Sequence, residues 1–146
     1  MIKLKCDRTP MSEKQIFVKL PNSDGVIELA YLTEQILNAR NIEHDWQPKR
    51  WTPQPALIEI NGGSSQLYHG QKYDPQYFNL VDDGWTHDHC LICFQTISNN
   101  SDQNEQVVSE GYTDQFNNWI CHNCYSNFIQ PKDYNAVLND LKRIAK

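Results

Sequence analysis

The chain has 146 residues, a formal charge of −5, 39% apolar residues and a mean hydropathy of −0.68. That length suits one domain or two small units sharing a core, with roughly 70% of the unfolded surface buried. No apolar run approaches the ~18 residues of a membrane span, and neither half has the basic excess that a partner held by phosphate contacts would require.

The opening MIKLKCDRTPMSEK has basic residues but no apolar run behind them, so it does not read as a secretory signal. A cytoplasmic location is therefore expected. Cys6 is expected to act as a small buried apolar residue. Gln15–Leu20 reads as a strand and PNSDG as a turn. A helix is expected from Val26 to Arg40, with Leu29, Leu32, Ile36 and Leu37 on one face. Glu28 and Glu34 toward its start and Arg40 at its end match the helix dipole.

Residues 45–55 (DWQPKRWTPQP) hold three prolines, and an extended or looping segment is expected rather than an element interior. Trp46 and Trp51 are read as covering the core rather than as an exposed binding patch. Ala56–Ile60 and Ser65–His69 read as a hairpin around Asn61-Gly62-Gly63, which supplies the positive φ the turn needs. The glycine-rich turn lacks the lysine and following helix of a phosphate loop. Tyr77–Val81 reads as a strand and Asp82-Asp83-Gly84 as a turn.

Four of the five cysteines then fall into two C-x2-C pairs, Cys90/Cys93 and Cys121/Cys124, separated by 27 residues. A C-x2-C turn brings two sulfurs to one ion, and two such turns complete a tetrahedral set. One structural zinc ion held by Cys90, Cys93, Cys121 and Cys124 is the expected cofactor. In a reducing compartment this spacing favours metal over disulfides. A redox role for Cys121-His-Asn-Cys124 would need a single pair in a βαβ setting. His87, His89 and His122 flank the pairs; exchange of one of them for a cysteine stays open, with hydrogen bonding around the site as the simpler reading. Asp88 is the one nearby candidate for a general base. His44-Asp45 is read as structural or surface, since neighbouring side chains usually point apart.

Between the pairs, Phe94–Ile97 reads as a strand and Ser98–Asn104 as an exposed, mobile loop. Gln106–Glu110 and Asn118–Ile120 are strand candidates either side of Gly111-Tyr112. YSNFI after Cys124 reads as a short helix. Asp133 caps a last helix to about Ala145, with Tyr134, Val137, Leu138, Leu141, Ile144 and Ala145 on one face.

The expected fold class is α+β. A mixed N-terminal region (1–84) with a helix and a β-hairpin precedes a four-cysteine zinc module with a C-terminal amphipathic helix (85–146). The pattern H-x-H-C-x2-C, then G-Y, then W-I-C-x2-C-Y resembles small uncharacterised bacterial proteins with a zinc-ribbon or treble-clef-like C-terminal region. The resemblance covers about residues 85–128. It implies a metal-stapled fold and leaves function open, since fold does not choose among functions.

A closed site, an acidic balance and no catalytic set point to a non-enzymatic, zinc-stabilised protein-binding protein. An inhibitor or immunity-type role against a basic cognate toxin is the favoured reading. A nucleic-acid-associated zinc-finger regulator, whose patch would be Lys132, Lys142, Arg143 and Lys146, and a zinc- or thiol-dependent enzyme are the alternatives.

Overall fold

The computed structural model describes residues 15–20, 25–99 and 107–145. Among these the fold is mixed α and β, with three helices and four small sheets. Among the described residues no helix is long and apolar enough to cross a membrane.

Strand β1 (Phe17–Lys19) pairs antiparallel with β2 (Val26–Glu28), and the two-residue period buries Val18 opposite Ile27. Val26 to Glu28 were expected to begin a helix. They are instead extended, because the β-branched pair Val26-Ile27 gains a cross-strand partner and a buried face. Helix α1 (Leu29–Ala39) starts immediately after them and buries Leu32, Ile36 and Ala39. Leu37 lies about 100° around from Ile36 and is 54% exposed, so it is not part of the packed face.

Arg40 ends α1 but does more than complement its dipole. Its Nη1 donates to the carbonyls of Phe128 (2.8 Å) and Pro131 (2.6 Å), and Nη2 donates to that of Lys132 (3.0 Å). The guanidinium also lies 5.5 Å from the Tyr134 ring centroid. One side chain thus satisfies the loose carbonyls of a segment almost ninety residues away.

The proline-rich segment is an element after all. Strand β3 (Gln47–Arg50) carries Pro48 and pairs with β9 (Glu110–Thr113), which pairs in turn with β10 (Trp119–Cys121). Trp51 N donates to Ser109 O at 2.9 Å. By alternation the amides of Gln47 and Lys49 face β9, and the Pro48 nitrogen faces the open edge, where no ladder bond is lost. Gly111-Tyr112, expected between strands, lies inside β9. A Cβ on Gly111 would come within 2.7 Å of Ile120 O, so only glycine permits this approach. Trp51 is fully buried and Trp46 packs on the core, its Nε1 donating to Ala39 O at 2.8 Å.

A second sheet runs in the order β5 (Ser65–Leu67), β4 (Gln54–Glu59), β6 (Phe78–Trp85). The expected hairpin is present, with Gly63 at φ +79°. Asp82-Asp83-Gly84 is not a turn. It is a bulge within β6: Gln54 faces Trp85 while Ala56 already faces Val81. Turn-type residues suit a bulge for the same reason that they suit a turn, and a Cβ on Gly84 would crowd those of Val81 and Ala56.

The remaining elements are β7 (Asp88–His89), β8 (Thr96–Ile97), the single turn α2 (His122–Cys124), a π-helical turn (Tyr125–Ile129) and α3 (Tyr134–Ile144). Ser98, expected at an exposed loop, is buried and its Oγ donates to Thr86 O at 2.8 Å. Most of that loop, with Gln106 and Cys6, lies outside the described residues. Asp133 caps α3 as expected, its Oδ1 accepting from the amides of Asn135 and Ala136. Val137 and Leu141 are buried, whereas Ile144 is 52% exposed. One core joins Val18, Leu32 and Trp51 to Ile92, Ile120 and Leu141, so residues from both ends of the chain share it.

Replacing Arg40 with alanine should lower unfolding free energy by about 2 kcal/mol, because several carbonyls lose a charged donor. Lysine should recover little of it, since an ammonium cannot fork across the same carbonyls. Urea unfolding at constant slope checks both, and a change below ~0.5 kcal/mol would show the bonds to be idle.

Candidate metal centre

Each cysteine pair sits on a tight turn closed by its own backbone. In the first, Cys90 N donates to Gln95 O (2.8 Å) and Phe94 N to Cys90 O (2.9 Å). The amides of Ile92 and Cys93 point at Cys90 Sγ, at 3.4 and 3.5 Å. Phe94 takes a positive φ of 66° to leave the turn, a conformation that costs a bulky residue energy. In the second, Cys121 ends β10, and Cys124 N donates to Cys121 Sγ at 3.5 Å. Leu91 N donates to Trp119 O at 2.8 Å and docks the two turns against each other.

The docking brings together Cys90, Cys93, Cys121 and Cys124. All four are buried, unpaired by disulfide, and their sulfurs lie within 4.8 Å of one another. Cys93 Sγ and Cys121 Sγ are 3.7 Å apart. That is far beyond a disulfide's ~2.05 Å. It matches the edge of about 3.8 Å for a tetrahedron of sulfurs bonded at ~2.3 Å to a central ion. The cluster could hold a metal ion.

The protons tell the same story. Burial pushes the Cys90 thiol up, but hydrogen bonds from Cys121, Cys124 and Cys93 outweigh it and hold Cys90 well below its ordinary value. Cys121 is lowered too, chiefly by its bond with Cys124. Cys93 and Cys124 are pushed up, each chiefly by its bond to Cys121. The first cysteine of each pair, which receives the backbone amides, is thus the one held down, and the second is the one pushed up. Four thiolates cannot share one dry site without a cation to displace the last protons.

The flanking histidines are exposed and are not among the clustered ligands. His87 and His89 meet edge to face, His89 Nδ1 lies 3.3 Å from Phe94 O, and His122 Nε2 lies 3.4 Å from Ser126 Oγ. Asp88 is engaged elsewhere: its Oδ2 accepts from the indoles of Trp51 (2.9 Å) and Trp85 (3.2 Å).

His44 does pair with an aspartate, but with Asp114 rather than its neighbour Asp45. His44 Nδ1 is 2.7 Å from Asp114 Oδ2, and the Asp114 side chain is fully buried. Its Oδ1 accepts from the amides of Phe116 (3.1 Å) and Asn118 (2.8 Å), and Oδ2 also accepts from Asn118 Nδ2 (3.1 Å). Burial pushes this carboxyl up, but the bonds from Asn118, His44 and Phe116 outweigh it and lower it. This carboxylate holds the loop between β9 and β10, and so the approach of Cys121. Sequence reasoning passed over it. The local signal is an aspartate followed by Asn117, which takes φ +68°; the partner seventy residues away leaves no such mark.

No family model, no curated protein and no solved structure matches the chain.

Cys90→Ser and Cys124→Ser should each abolish high-affinity metal binding and unfold at least residues 85–146, since ion binding supplies folding energy in small metal-stapled units. Circular dichroism with and without a chelator checks this; a cooperative transition retained after chelation would contradict it. Because Asp114 is depressed in the folded state, its stabilisation is complete above the unfolded carboxyl value of about 3.9 and is lost as pH falls through the lower folded value. The stability gap between the wild type and Asp114→Asn should therefore shrink below pH ~4. A gap constant from neutral to acid pH, measured by urea unfolding, would show that the carboxylate's charge contributes nothing.

Proposed function

We propose that the four thiolates hold one zinc ion in a zinc-ribbon or treble-clef-like module, and that the chain is a non-enzymatic protein-binding protein. The observation that carries this reading is the closed, all-sulfur cluster. Four sulfurs fill a tetrahedron, which leaves no position for a reacting water or substrate. Zinc suits a buried four-thiolate site better than a hard cation does, because soft ligands favour it and it has no redox chemistry to control. Asp88, two residues before Cys90, is occupied by two indoles, which supports a structural role.

Within that class the favoured role is inhibitor or immunity protein to a basic enzyme. The β5-β4-β6 sheet is the surface that best supports it. Tyr77 (56% exposed), Leu80 (39%) and Val81 (39%) lie along or beside its edge strand, and exposed Asp74, Asp82 and Asp83 flank them. Exposed apolar residues with carboxylates near them in the chain suit a partner of the opposite charge, and the charge speeds encounter more than it tightens the complex.

Affinity capture from the native cell tests the role. A basic protein at stoichiometric ratio, with association at least about tenfold slower for Asp82→Lys/Asp83→Lys than for the wild type, is the expected result. Capture of nucleic acid instead, or of no stoichiometric partner, would overturn it.

A further inference from the structure

Beside the first cysteine turn, two further metal-binding side chains meet. His87 and His89 are exposed, and between them Asp88 is half-buried. Backbone alternation accounts for this. Asp88 turns inward to the indoles of Trp51 and Trp85, so its two neighbours turn outward on one face. Their rings stand 4.9 Å apart, centre to centre, with planes at 84°.

Each ring is held through Nδ1. His89 Nδ1 lies 3.3 Å from Phe94 O. A carbonyl can only accept, so this Nδ1 carries the hydrogen and Nε2 keeps its lone pair. His87 Nδ1 lies 3.1 Å from Thr86 Oγ1. Among the described residues neither Nε2 has a partner. An imidazole oriented through one nitrogen, with the other open, is the arrangement that metal-bound histidines share. Two imidazoles on one ion, with nitrogens at ~2.0–2.1 Å, set their ring centres roughly 4.5–5.2 Å apart for square or tetrahedral angles. The observed separation falls inside that range.

We propose that His87 and His89 chelate a second, exchangeable divalent transition-metal ion through their Nε2 atoms. The donor atoms select the class of ion: imidazole suits nickel, copper and zinc, whereas calcium and magnesium require oxygen. Asp88 does not complete the site, because its carboxylate is turned to the two indoles. Two ligands hold an ion far more weakly than four, so this site fills only when metal is added. Its remaining positions stay open to water or to a donor from a bound molecule. It is separate from the four-sulfur cluster, and neither reading depends on the other.

Calorimetric titration of Ni²⁺ into the full chain, with its sulfur site already filled by zinc, tests this. One further ion per chain is expected. His87→Ala and His89→Ala should each lower the affinity at least about tenfold, whereas His122→Ala, on the second cysteine turn, should leave it unchanged. Both substituted side chains are exposed, and a retained count of one zinc per chain checks that each variant keeps its fold. Spectra of the wild type supply a readout that needs no variant. In ¹H–¹⁵N correlation spectra, paramagnetic Ni²⁺ should first broaden the signals of residues 86–89 and of 94–97, which pack against them. No saturable uptake of nickel, a loss of affinity caused by only one of the two histidines, an equal loss in His122→Ala, or broadening centred elsewhere would each overturn the proposal.

Discussion

Four buried sulfurs within 4.8 Å of one another are the constraint on which the fold depends. A dry site cannot hold four negative charges without a compensating cation. A divalent cation would remove that conflict and would clamp two turns that the Leu91–Trp119 hydrogen bond already docks. From there the constraint spreads through backbone. Cys121 ends β10, β10 pairs with β9, and β9 pairs with β3, so the cluster reaches residues 47–50 through one short sheet.

That sheet needs support, because its strands are only three or four residues long. Three polar junctions supply it, each joining segments far apart in sequence. Asp88 gathers Trp51 and Trp85, Asp114 gathers His44 and the β9–β10 loop, and Arg40 gathers the carbonyls after the π-helical turn. Gln115 adds to the second: its Oε1 accepts from Asp45 N at 2.9 Å and its Nε2 donates to Glu43 O. In every case a buried or half-buried polar group finds partners, which is the condition for placing it there without penalty.

Features carried by a few neighbouring residues were legible in the sequence. The two C-x2-C pairs, the Asn-Gly-Gly hairpin and the Asp133 cap depend on local spacing, and local spacing is what a sequence displays. Features that depend on a distant partner were not. Pro48 looked like a strand breaker because nothing nearby tells that its nitrogen faces an open edge. Val26-Ile27 looked helical because their strand partner, Phe17–Lys19, lies several residues earlier in the chain. Asp82-Asp83-Gly84 carried turn chemistry that a bulge uses equally well. The pairing of His44 with Asp114, rather than with Asp45, comes from packing across seventy residues, and no period or motif encodes it.

The central claim is that these four sulfurs form one closed metal site. X-ray absorption at the metal edge, on protein purified without added metal, tests it most directly. One zinc per chain is expected, with four sulfur scatterers at about 2.3 Å and no nitrogen or oxygen bonded to the ion. Water or imidazole bound to the metal, or purified protein with the cysteines joined as disulfides and no bound metal, would contradict it.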